Sequence, residues 1–143
     1  MKYYIILSML IISCSTSNKI ISKTQDKRQS LIVQQNYKPA KDNTPFKILD
    51  VDLKKNLLTI YLEYTGGCSK HLFKLYTDKI YKSTDPPKID LFLEHNPNGD
   101  LCKSLIMDTM IYDITNAKFP EKEKNFSVEL NLNEYSGKII YKY

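Results

Sequence analysis

The chain has 143 residues, 42% hydrophobic and 26% charged, a balance that supports one folded core and excludes a disordered chain. Four Gly and six Pro exclude a collagen-like repeat, and 21 Lys and Arg against 16 Asp and Glu leave a net charge of +5. Two His and three Cys leave little imidazole or thiol for catalysis.

The first residues read as an export signal. Lys2 gives a charged start, and Tyr3 to Ile12 is an apolar run of ten residues. As a helix such a run covers about 15 Å, half of a bilayer's ~30 Å of hydrocarbon, and its length is that of a signal-peptide core. Ile11, Ser13 and Cys14 then place a large aliphatic, a small residue and Cys in order. This resembles the lipobox of bacterial lipoproteins. The resemblance implies removal of residues 1–13, acyl chains on Cys14 and a lipid-anchored place in the cell envelope. Ser15, in place of Asp, favours the outer membrane over the inner. A plain cleaved signal followed by a free Cys14 is the competing reading.

Residues 14–45 are polar and carry six basic against two acidic side chains. They are expected to form a flexible basic tether, suited to anionic head groups. Within it, Leu31, Ile32 and Val33 either add an edge strand or stay loose. Residues 46–143 form the expected domain. They hold fourteen basic and fourteen acidic side chains, so no electrostatic footprint for nucleic acid remains.

From Phe46 the pattern has period two. A strand over 46–53 leads to a turn at Lys54-Lys55-Asn56. Leu57 to Tyr64, rich in β-branched and aromatic residues, is the clearest strand. Thr65-Gly66-Gly67 breaks it. A third strand starts at His71 and runs to Tyr76 or Tyr81, before Pro86-Pro87 forbids further pairing. Lys88 to Glu94 alternates again, and Asn96 to Asp100 has the composition of a tight loop. Leu105 to Ile114, Phe126 to Leu132 and Lys138 to Tyr143 complete seven strands. With no helical stripe, the expected fold is all-β: an antiparallel β-sandwich of immunoglobulin-like size, preceded by signal peptide and tether.

Beyond Cys14, the rare residues fall in two short segments. Cys68 and His71 occupy one, and His95 and Cys102 the other. Gly66-Gly67-Cys68-x-x-His71, Pro86-Pro87 and His95-Asn96-x-x-Gly99-Asp100-x-Cys102, followed by Tyr112-Asp113-Ile114, together resemble a family of small bacterial lipoproteins. The resemblance covers residues 58–115 and implies no activity. Three readings of the cluster stay open. One is a Cys68–Cys102 disulfide, which an exported domain permits. Another is a zinc site of Cys68, His71, His95 and Cys102. The third is two free thiols with hydrogen-bonding His.

Other signals are weaker. Glu94, Asn96, Asn98 and Gly99 match the start of an EF-hand loop, but Leu105 falls where the bidentate carboxylate belongs. Asp50 and Asp52 share a strand face and read as solvated rather than as an acid/base pair. No phosphate loop, Gly-x-Ser-x-Gly or His-Glu-x-x-His is present. The expected function is therefore non-enzymatic, without a cofactor: a lipid-anchored envelope protein whose partners are the membrane and an envelope protein or glycan. The alternative is a zinc-binding envelope protein using the Cys/His cluster.

Overall fold

The computed structural model describes residues 28–40, 43–119 and 126–143. The expected export signal, Cys14 and half of the expected tether lie outside these residues. Among the described residues ten strands follow one another: β1 (Arg28–Ser30), β2 (Ile32–Val33), β3 (Phe46–Lys54), β4 (Leu57–Gly66), β5 (Leu72–Thr77), β6 (Tyr81–Lys82), β7 (Lys88–Asn96), β8 (Ser104–Asp113), β9 (Ser127–Leu132) and β10 (Ile139–Lys142). The seven expected strands are all among them, and the fold is the expected all-β sandwich.

One sheet has the order β1-β8-β4-β3 and the other β10-β9-β7-β5-β2, with β6 beside the start of β7. The long neighbours β3/β4, β4/β8 and β5/β7 are antiparallel. Three pairs are parallel: β1/β8, β2/β5 and β7/β9. The last arises because β8 crosses to the opposite sheet before β9 returns beside β7. Both sheets are therefore mixed, which corrects the expected purely antiparallel pairing.

Alternation on the strands produces the core. In β4, Leu58, Ile60, Leu62 and Tyr64 point inward, while β7 contributes Ile89, Leu91, Leu93 and His95. Tyr112, Val128, Leu130 and Tyr141 fill the space between the sheets. Fully burying one such aliphatic side chain contributes about 1.5–3 kcal/mol.

Part of the expected tether belongs to the folded domain. Leu31 is only 2% exposed and belongs to the core. On one side of it β1 pairs with Ile111 to Asp113, and on the other β2 pairs with Tyr76 and Thr77. The Leu31 N–H donates to the Asp113 carbonyl at 2.9 Å, and the Gln34 N–H to the Thr77 carbonyl at 2.9 Å. The chain thus steps from one sheet to the other across the side of the sandwich, with one aliphatic plug between. Of the two expectations for Leu31 to Val33, the edge strand is therefore the one observed. Among the described residues no helix is long and apolar enough to cross a membrane.

The remaining expectations for single carboxylates resolve on the strands. Asp50 Oδ1 accepts the Val51 N–H at 2.8 Å beside a bulge in β3, and Asp52 pairs with Lys54 at 2.8 Å. Both are the solvated strand residues expected.

Candidate functional site

The two Cys/His segments meet at one end of the sandwich, where β4 ends, β5 begins, β7 ends and β8 begins. Their meeting depends on two glycines. A Cβ on Gly66 would lie 2.5 Å from His71 Nε2, so only glycine leaves room for that ring. Gly67 has φ +117°, in the region that favours glycine, and it turns the chain back over the loop that follows β7.

Three links join the loops. Cys68 and Cys102 form a disulfide, with Cα atoms 5.8 Å apart, inside the range a bridge requires. Asp100 Oδ2 accepts the N–H groups of Gly67, Cys68 and Ser69 at 2.9, 2.9 and 2.8 Å, while its Oδ1 accepts the Cys102 N–H at 2.8 Å. The Asn98 amide donates to the Lys70 carbonyl at 3.4 Å. The Asp100 side chain has no exposed surface. Donation from the backbone N–H groups of Ser69, Cys102 and Cys68, and from His71, holds its carboxyl far below the usual carboxylate range.

Behind the carboxylate lie the two histidines. His71 Nε2 is 3.1 Å from Asp100 Oδ2, His71 Nδ1 is 2.7 Å from His95 Nε2, and His95 Nδ1 is 3.1 Å from the Thr44 carbonyl. The Thr44 oxygen and the carboxylate can only accept, so His95 Nδ1 and His71 Nε2 carry hydrogens. Two neutral imidazoles hold those two hydrogens and no third, so His71 Nδ1 and His95 Nε2 face each other as lone pairs unless a proton is added.

Aromatic rings enclose the pair. Phe73 stacks on His95 at 4.2 Å with the planes 6° apart, Phe46 meets it edge-on at 5.9 Å, and Tyr64 covers His71 at 4.6 Å. Burial is the main cause holding His95 below its ordinary value, with the neighbouring His71 acting the same way and the Thr44 carbonyl opposing. Burial, then the Asp108 and Asp100 charges, push the Tyr64 phenol up.

These contacts correct the zinc alternative. The set Cys68, His71, His95 and Cys102 does not form a four-ligand site, because the sulfurs are bonded to each other and lack the thiolate charge that holds zinc. All four ring nitrogens already face partners. The free-thiol reading falls with it. Asp100 is the residue that sequence reasoning missed. It stands inside the Asn98-Gly99-Asp100-x-Cys102 segment, and its position two residues before Cys102 is that of a side chain able to cap the turn. The EF-hand start is a turn as well: Asn96 Oδ1 accepts the Asn98 N–H at 2.8 Å.

A second feature lies on the outer face of the β5/β7 sheet. A cleft of about 370 Å³ opens where the segment around Asn43 crosses the strands, lined by Asn43, Leu72, Lys74, Tyr76, Glu94 and Pro97. The segment is held by Tyr37, whose ring stacks on Tyr76 at 4.6 Å and whose hydroxyl donates to Glu94. Burial first, and then that carboxylate, push the Tyr37 phenol well up. The cleft offers one cation, one engaged carboxylate and an aromatic wall, which suits a small polar ligand or a peptide side chain.

Neither a protein-family model nor a curated protein matches the chain. Solved structures do match its fold. A NigD-like immunity protein from Bacteroides caccae aligns with a TM-score of 0.54 and 16% identity, over 80% of this chain and 64% of its own. A protein of unknown function from Bacteroides vulgatus aligns with a TM-score of 0.52 and 17% identity, over 81% and 56%. A protein from Parabacteroides distasonis named as toxin-related aligns with a TM-score of 0.51 and 21% identity, over 80% and 59%. The chain therefore spans between 56% and 64% of the length of these structures. At such identities the likeness is one of fold alone.

Proposed function

We propose that this is an exported, lipid-anchored cell-envelope protein, held by acyl chains on Cys14, whose β-sandwich binds or braces a partner rather than catalysing a reaction. The observation that carries the reading is the Cys68–Cys102 disulfide. Bonds of this kind persist outside the reducing cytosol, so the disulfide supports export independently of the N-terminal signal. The Cys/His cluster also supports a non-enzymatic role. Its sulfurs are bonded, its imidazoles and Asp100 are covered, and each polar atom of the chain is engaged in holding loops. The cleft beside Tyr76 and Glu94 is where an envelope protein or glycan segment would sit.

Metabolic labelling with a radioactive fatty acid, followed by membrane fractionation, tests the anchor. Wild type should be labelled and sediment with membranes, and Cys14→Ala should be unlabelled and uncleaved. Equal labelling of both proteins would contradict the reading.

A further inference from the structure

The disulfide end carries an apolar edge that the fold does not use. In β8, Leu105 and Met107 point away from the core, paired across the strand with Thr65 and Glu63. Leu105 is 66% exposed and Met107 72%. Leu101, in the loop just before β8, is 89% exposed. Leu105 and Met107 thus share the outer face of β8 at the disulfide end, and Leu101 stands exposed in the loop that leads into it. Two lysines, Lys70 and Lys103, are exposed in the two bridged loops, whereas the Asp100 side chain is buried and Glu63 is paired with Lys47 at 3.5 Å.

The topology points this corner in a definite direction. β1 runs parallel to β8 with Arg28 beside Ile111, so the chain enters the sheet travelling from the β8 start toward its finish. Followed backwards, β1 therefore heads toward the disulfide end. Thirteen residues separate Cys14 from Arg28. Fully extended, they reach up to roughly 45 Å, and as a coil they span roughly 20 Å. From Ile111 back to Leu105 is six strand residues, roughly 20 Å. A lipid on Cys14 is thus tied closely enough to bring the Leu101 corner to the bilayer, with no need to turn the domain over.

Resting on the anchored reading above, we propose that the corner formed by Leu101, Leu105 and Met107 docks on the phospholipid surface that holds the Cys14 acyl chains. The apolar side chains enter the head-group boundary, while Lys70 and Lys103 meet anionic head groups. Docking fixes the orientation of the domain. The opposite end, with the turns at Lys55 and Lys79, faces away from the membrane, and the cleft lined by Lys74 and Glu94 opens sideways to partners.

The native lysines report this orientation. The lipidated full chain is attached to vesicles of phosphatidylcholine and phosphatidylglycerol, floated, and labelled with an impermeant amine-reactive ester. Mass spectrometry then compares Lys70 and Lys103 with Lys55 and Lys79. Lys70 and Lys103 should label at least fivefold more slowly on vesicles than the distal pair. The exposed substitutions Leu101→Glu and Leu105→Glu should remove that protection without releasing the protein. Equal labelling of the two ends in floated wild type overturns the docked corner while leaving the anchor intact. Failure to float overturns the anchored reading, and the docked corner with it. Protection that appears without vesicles and grows with protein concentration assigns the corner to a second copy instead and also overturns the proposal.

Discussion

The two ends of the sandwich are closed by different chemistry. At one end a disulfide, a carboxylate receiving four backbone N–H groups and a pair of imidazoles tie two loops together. At the other end rings close the gap. Tyr81, Phe119 and Phe126 pack in sequence with centroids 4.6 and 5.1 Å apart, and the Tyr81 hydroxyl donates to the Ala117 and Lys118 carbonyls. The Tyr141 hydroxyl reaches Asn56 at 2.7 Å. The first end depends on redox state and pH, and the second depends on neither across the physiological range. Sensitivity to the environment is therefore concentrated at the disulfide end.

The largest expected effect breaks the covalent link. Replacing Cys68 and Cys102 together by Ser opens a loop with a sequence separation of 34 residues. Chain entropy puts the loss at about 4 kcal/mol. Calorimetry should show the variant melting well below oxidised wild type and close to reduced wild type. Unchanged melting in all three would remove the disulfide from the account of stability.

Acid comes next. Folding holds His95 below its ordinary value of 6.5, so the unfolded chain takes up the proton that the folded site refuses. Stability then falls as pH drops through about 6.5. Asp100 is also depressed from its ordinary 3.8, so its contribution is present above that value and is lost as pH falls below it. Both slopes have the same sign. Urea unfolding at a series of pH values should give two successive losses, and Asp100→Asn should abolish the lower one. Flat stability between pH 7 and pH 3 would contradict the buried chain.

Two hydroxyls sharpen the contrast at the smallest scale. Tyr81→Phe removes a hydroxyl bonded to two carbonyls and should cost about 1 kcal/mol, equally at pH 7 and pH 5. Among the described residues, the buried Tyr112 hydroxyl has no hydrogen-bond partner. Tyr112→Phe should therefore be neutral or raise stability by up to about 1 kcal/mol. A large loss from Tyr112→Phe would show that the hydroxyl is satisfied in solution.

Much of the fold was legible because period-two alternation survives wherever one strand face meets the core. Leu57 to Tyr64 and Lys88 to Glu94 are examples. The short pieces were not. Arg28–Ser30, Ile32–Val33 and Tyr81–Lys82 are too brief to alternate, and their assignment depends on partners far away in sequence. Tyr37 lies among polar residues, so composition placed it in a tether although it is buried, whereas the apolar run from Leu31 to Val33 had left an edge strand open. Nor does periodicity say which strands are neighbours, which is why the parallel β7/β9 pair was invisible. The site was half legible. Two His and two further Cys are rare enough to point to one another, but Asp100 is one of sixteen acidic residues, and only the fold shows that it joins the loops.

The most direct test traps the sulfurs as they exist in the cell. Envelopes are quenched with a thiol-blocking reagent before lysis, and the protein is digested without reduction and mapped by mass spectrometry, with zinc measured on the same material. The expected result is a cross-linked peptide joining Cys68 to Cys102, with neither sulfur blocked and no stoichiometric zinc. Two blocked thiols, or zinc in a 1:1 ratio with the protein, would contradict the disulfide-closed end and the export that it supports.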